Sequence, residues 1–370
     1  MMRGMLQAMT AQSAAILVLW VALLALTSIV ARELGLACLK RYRWTVALLA
    51  VALAGLPAAA VMKAARPYRN RLAAILLRKQ SPPIVLSSGC RIFPANNIWN
   101  TRVDGLPVDP NSNAYIDSMG PDLPLHGDFG ASAGIPYTVT GGRGVRADVV
   151  FTQTPAESDP GPYVIPESAR VEDGSDGHVL VLDTERCRLY ELFGAEKTGG
   201  RSWNAKSGAT FDLASNGLRP AGWTSADAAG LPILPGLIRY DEAVSGRIAH
   251  ALRFTARVTR KSYVWPARHR ASYHDSAKLP PMGQRFRLRS SFDASGFSPE
   301  ARAIVAALQE YGMMLADNGG PWFVSGTPDT RWTSRLHEEL QRISGADFEA
   351  VDAAAFQVDA NSGEARAGSR

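Results

Sequence analysis

The feature that most constrains this 370-residue chain is its beginning. Residues 4–31 carry no charged side chain, and residues 14–31 are almost wholly apolar. A helix of about 20 such residues crosses a bilayer. A second uncharged stretch, residues 44–62, is interrupted by Gly55 and Pro57, and Arg32, Lys40, Arg41 and Arg43 lie between the two. The pattern predicts an N-terminal transmembrane helix or helical hairpin, with the lipid bilayer as a partner. A cleaved signal peptide is the alternative reading, but the first stretch is long for one and a second comes at once after it.

Charge divides along the same line. Residues 1–79 hold 11 Lys/Arg and one acidic residue, a balance of +10, whereas residues 80–370 hold 29 Lys/Arg and 33 Asp/Glu, a balance of −4. The overall pI near 9.3 therefore belongs to the N-terminal part, and a weakly acidic remainder lacks the footprint of a nucleic-acid binder. Orientation is contested. Lys63, Arg66, Arg69, Arg71, Arg78 and Lys79 come after the second stretch, and the positive-inside rule then places the remainder of the chain in the cytoplasm. The cysteines point outward. Cys38 falls in the anchor, and Cys90 and Cys187 are the two in the remainder, a pair that fits a disulfide in an oxidising compartment. Two buried free thiols are the alternative. The reading adopted is a protein of the inner (cytoplasmic) membrane with an extracytoplasmic soluble domain.

The expected organisation is an anchor with basic flanks over residues 1–80, a soluble β-rich domain over 81–356 and a disordered tail over 357–370. Ser81-Pro82-Pro83 ends the helical region, since proline disfavours helix at and before itself. Beyond it, short strands alternate with dense turn signals, which predicts a mainly β fold, sandwich or jelly-roll-like, with a few peripheral helices. Residues 179–183 (VLVLD) and 188–193 (RLYELF) read as a hairpin. Residues 137–140, 149–152, 248–256, 263–265 and 285–288 are further strand candidates. One helix is clearly written: Ser298 as N-cap, Pro299 at its first position, Ala301, Ile304, Val305 and Leu308 on one face, and Gly312 as the stop. Residues 313–316 and 322–325 then read as two strands joined by a turn at 317–320, and residues 333–343 as a second helix.

Chemistry is less legible. No pair of the six histidines has HExxH spacing and no CxxC occurs, so the sequence points to no metal and no cofactor. His269 and His274 flank the loop HRASYH, a weak metal candidate. The most unusual stretch is residues 207–242, rich in Gly, Pro, Asn and Asp, which predicts a long ordered loop of the kind that carries function. With Asp317 from the later turn, it suggests Asp212, Asp227 and Asp317 as catalytic carboxylates. Arg239, His250 and Arg253 would orient substrate, and Trp223 would stack on a sugar ring. Paired carboxylates about 5 to 9 Å apart are what glycoside hydrolysis requires. The expectation is thus polysaccharide binding or cleavage at the cell envelope, glycoside-hydrolase-like if enzymatic. A non-enzymatic structural or interaction protein of the envelope is the alternative.

Several runs occur together: FPANNIWN at 93–100, LPVDPN at 106–111, GWTSADAAGLPILPGLIRYDE at 222–242, HALRFT at 250–255, YVWPARH at 263–269, PMGQRFRL at 281–288 and YGMMLADNGG at 311–320. In these the chain resembles a group of bacterial proteins, many exported, known only as hypothetical or of unknown function. The resemblance spans residues 90–352 and implies one domain rather than two. It brings no activity and no catalytic residues.

Overall fold

The structure, a computed structural model, describes residues 91–142 and 144–366. In chain order, helix α1 (Ser112–Met119) precedes strands β1 (His126–Asp128), β2 (Tyr137–Thr140), β3 (Arg146–Phe151), β4 (Tyr163–Val164), β5 (Val179–Asp183), β6 (Arg188–Phe193), β7 (Glu196–Gly199), β8 (Ser202–Ala205) and β9 (Ser207–Asp212). Helix α2 (Tyr240–Val244), β10 (Leu252–Ala256) and β11 (Arg285–Leu288) come next. They are followed by α3 (Pro299–Glu310), β12 (Met313–Asn318), β13 (Phe323–Ser325), α4 (Ser334–Leu340) and β14 (Phe348–Val351).

These strands form one six-stranded sheet, β1-β13-β10-β12-β11-β14, and two four-stranded sheets, β2-β5-β6-β9 and β4-β3-β8-β7. The expectation of a mainly β fold with few helices describes this architecture. Two parts of the expected fold class need correction. No helix among the described residues is long and apolar enough to cross a membrane, so the expected N-terminal transmembrane helix or hairpin finds no counterpart; residues 1–80 themselves lie outside the described residues. All three sheets also mix parallel and antiparallel pairs, whereas a jelly roll is antiparallel throughout.

The VLVLD run explains the layering. Leu180 and Leu182 of β5 join the main core, and Val179 and Val181 join a second, smaller core with Tyr163, Tyr190 and Trp203. A strand covered on both faces reads as a continuous apolar run rather than an alternating one. Its hairpin with β6 forms in the expected register, with Asp183 opposite Arg188.

Helix α3 also obeys its sequence signals. The Ser298 hydroxyl accepts the Ala301 N–H, Pro299 occupies the first turn, and Tyr311 closes the helix. Gly312 comes next at φ +64°, where a Cβ would meet the Phe286 carbonyl. Helix α4 is capped by Thr333 and buries Leu336 and Leu340.

Three local expectations are corrected. Strands β12 and β13 are not paired with each other. Instead β10 lies between them, parallel to β12 and antiparallel to β13, because the six-stranded sheet buries β10 completely. The candidate strand at 263–265 is a single bridge from Tyr263 to Met282. The tail expected to be disordered folds back as far as Arg366. Gln357 bridges Ala365, Ser362 bridges Gly217, and Glu364 bridges Asn97. The Trp265 indole and Arg268 guanidinium donate to carbonyls of Ser362 and Ala360, so polar composition did not prevent anchoring by backbone bonds.

The 207–242 stretch begins as β9 and continues irregularly into the main core, where Leu231, Ile233, Leu234, Leu237 and Ile238 are buried. Its prolines deny it a regular ladder, so its amides need another acceptor. The Glu191 carboxylate of β6, fully buried, accepts the N–H groups of Ile233 and Leu234.

Candidate functional site

A β-bulge sets the first element of the site. In the β10–β12 pair, Phe254 lies opposite Leu315, but Thr255 lies opposite Asp317, leaving Ala316 as the extra residue. Regular alternation would put Asp317 on the face of Met313 and Leu315, away from Arg253. Registered neighbours share a face, so the bulge moves Asp317 onto the face of Thr255 and Arg253. Bulges of this kind re-aim side chains beside functional sites.

Arg253 is held from several sides. Its Nε donates to Asp227 Oδ2 at 2.7 Å and its Nη2 to Asp227 Oδ1 at 2.9 Å. Its Nη1 donates to the Ser325 hydroxyl on β13, and Nη2 is also 3.8 Å from Asp317 Oδ2. Burial would lower the Arg253 pKa, but the Asp227 carboxylate overrides it and keeps the guanidinium charged. The Asp227 side chain is 0% exposed and that of Asp317 is 31% exposed. Burial, then the charge of Asp227, pushes the Asp317 carboxyl up to about 7. Asp227 Oδ1 and Asp317 Oδ2 both reach this Nη2, so the two carboxyls are close neighbours.

The segment carrying Asp227 is fixed by its neighbours. Ser225 Oγ accepts the Asp227 N–H and donates to the Leu231 carbonyl. The buried His178 ring faces the Ala226 carbonyl with Nε2 and Glu172 with Nδ1. Burial disfavours its charge, yet the Glu172 hydrogen bond raises its pKa overall, as suits a ring with an acceptor at each nitrogen.

A cavity of about 490 Å³ opens over this cluster, with Asp317, Asn318, Thr224, Glu157, His269 and Ser272 on its wall. His269 is anchored through Nδ1 to the Ala228 carbonyl at 2.9 Å, and its Nε2 lies 3.9 Å from Glu157 Oε2. Nδ1 therefore carries the hydrogen donated to that carbonyl. Glu157 Oε2 also accepts the Thr224 N–H. Asn318 donates to Ser272 Oγ and accepts from Thr259, whose hydroxyl lies 2.9 Å from that of Ser272. The Thr154 hydroxyl, on the same wall, is buried with no hydrogen-bond partner among the described residues. Two partly exposed carboxyls, an imidazole and several hydroxyls make this a polar cavity able to bind a hydroxylated ligand and to move a proton.

The sequence-predicted residues scatter around this site. Asp227, Arg253 and Asp317 come together, and Asp227 also lines the cavity, but its side chain is wholly buried and holds Arg253. Asp212 is misplaced. It is exposed at the far end of β9, caps the Ala214 N–H and sits 3.8 Å from Arg188. Ser207, which lines the cavity, starts the same strand, about 16 Å away at the usual rise. Trp223 is half-buried under the Arg219 guanidinium, 5.6 Å from its ring centre, and is not on the cavity wall.

Arg239 and His250 belong to a second cavity of about 400 Å³, with Glu242 and Phe93. There Arg239 Nη2 donates to Glu242 and to His250 Nε2. Burial opposes charge on Glu242, but Arg239 and His250 hold it down to about 2. Cys187 is disulfide-bonded; Cys90, its expected partner, lies outside the described residues.

Glu157, Ser272, Asn318 and Tyr273 were missed by sequence reasoning, and His269 was weighed only as a metal ligand with His274. Among the described residues no three His, Cys, Asp or Glu side chains are grouped to hold a metal. The one usable signal was the HRASYH loop, whose histidines diverge: His269 faces the cavity and His274 is exposed.

No protein-family model matches this chain, and no match to it is found among curated proteins or solved structures.

Proposed function

We propose that the cavity over Arg253 is a carbohydrate site, and that the domain binds or cleaves polysaccharide at the cell envelope, outside the cytoplasm. The observation that carries this reading is the placement of Asp317. A bulge brings this partly exposed carboxyl to the cavity, next to a charge pair that stays fixed, with Glu157 on the same wall. In a cleavage reaction Asp317, protonated up to about pH 7, donates a proton to the leaving oxygen. Glu157, the second carboxyl, takes a proton from the water that bonds to the anomeric carbon as the glycosidic bond breaks. The hydroxyls and amide of Ser272, Thr154 and Asn318 bind sugar hydroxyls. The disulfide at Cys187 supports an oxidising compartment.

The experiment is a screen of envelope polysaccharides for reducing-end release and for binding, with Asp317→Asn in parallel. Turnover lost in a variant that keeps its melting temperature supports cleavage. Neither turnover nor affinity on any glycan sinks the carbohydrate reading. The second reading, a binding module without turnover, is favoured by the complete burial of Asp227, which removes one of the carboxylates expected to react. It predicts glycan affinity with no release.

A further inference from the structure

A basic run of the chain contributes to the cavity wall. Residues 257–278 contain Arg257, Arg260, Lys261, Arg268, Arg270 and Lys278 against one acid, Asp275, in a region of the chain whose overall balance is acidic. Arg268 is buried and donates to the Ala360 carbonyl. The others differ. Arg257, Lys261, Arg270 and Lys278 are exposed, and with Arg260 they form no ion pair among the described residues. The segment folds back on itself beside the cavity, since the Lys261 N–H donates to the His274 carbonyl and Arg260 bridges His274. Arg270 and Tyr273 line the cavity itself. Tyr273 is 79% exposed, a large aromatic face left in water, with the Arg270 guanidinium 5.6 Å from its ring centre.

Arg270 on the cavity wall, with Lys261 joined by its backbone to His274 next to the wall residue Tyr273, raises the local concentration of anions. An exposed tyrosine there supplies an apolar face with a polar edge. We infer that the site takes an anionic polysaccharide, one bearing carboxylate or sulfate groups, with Arg270 and Lys261 receiving the charges and Tyr273 stacking on a sugar ring at the mouth. This rests on the proposed carbohydrate reading and narrows it to a charged substrate class. Of the carboxylates in the cavity lining, that of Asp227 is neutralised by Arg253.

The test titrates the full-length protein with polygalacturonate, alginate and chondroitin sulfate, with neutral dextran, and with polyphosphate as a polyanion without sugar. At least one charged glycan is expected to bind, with affinity falling as salt rises, while dextran does not bind. The double variant Arg270→Glu/Lys261→Glu, at two exposed positions, weakens binding about tenfold or more and flattens the salt dependence. Tyr273→Ala weakens binding with the salt dependence unchanged. Dextran binding as tightly as the charged glycans overturns the anionic assignment and leaves the carbohydrate reading in place. Polyphosphate matching the glycans overturns both, because the sugar then contributes nothing. Binding that ignores the charge reversal, or no binding to any charged glycan, overturns the assignment.

Discussion

The Asp317 carboxyl stands 3.8 Å from an Arg253 guanidinium that Asp227 already holds by two hydrogen bonds. The arrangement gives the two aspartates different work. Asp227 is spent on neutralising a buried cation, and Asp317 is left partly exposed beside it with its proton affinity raised.

Asp317→Asn removes the titrating group and keeps the shape. If the cavity cleaves glycans, turnover falls about 100- to 10,000-fold, the usual share of general acid–base catalysis. The limb of the pH–rate profile near 7 disappears with it. Initial rates across pH for both proteins check this. An unchanged profile assigns the proton to another group.

Asp227→Ala strands a buried guanidinium and should destabilise the fold by about 3–5 kcal/mol, the usual cost of breaking a buried pair. The double variant Asp227→Leu/Arg253→Met recovers most of that loss, because no uncompensated charge remains. Urea unfolding of the three proteins measures both effects. Equal losses in the single and double variants would mean that the pair is not the source.

Stability should fall as the solution goes from mildly acid to neutral. Burial raises the carboxyls of Glu191 and Asp317 to about 7. The folded state therefore binds protons that the unfolded state releases in the ordinary carboxylate range. The stability these two contribute is fully present below that range and is lost as pH climbs to about 7. Glu242 acts oppositely: held down to about 2, it contributes stability above the ordinary range that is lost as pH falls towards 2. Melting temperature should thus be lower at about pH 7.5 than at about pH 5. Glu191→Gln should flatten the difference while lowering both values.

Cys187→Ser opens the disulfide and should cost about 2–5 kcal/mol. Thiol labelling of the unreduced, denatured full-length protein, read by mass, reports whether Cys187 is blocked. Labelling of all three cysteines would remove the support for an oxidising compartment.

Elements whose signals are local were legible. Ser298, Pro299 and Gly312 write both ends of α3 in adjacent residues, and VLVLD with RLYELF specifies a hairpin over a short turn. The β12–β13 pairing was misread because a turn signal says only that the chain reverses, not which strand enters the gap. The tail from 357 was misread because its order comes from backbone bonds to residues 97 and 217, far away in sequence.

For the site, the sequence by itself determined the inventory: which carboxylates, arginines and histidines exist, a basic run at 257–278, and an apolar run at 231–238 too rich in proline for regular structure. Only the tertiary structure decided which of them meet. One extra residue at Ala316 turned Asp317 towards Arg253, and a strand about 16 Å long carried Asp212 away from Ser207. Packing buried the Asp227 carboxylate while leaving that of Asp317 partly exposed. Composition and spacing carry no information on such pairings, because burial and electrostatic partnership are properties of distances between elements that the chain brings together only on folding.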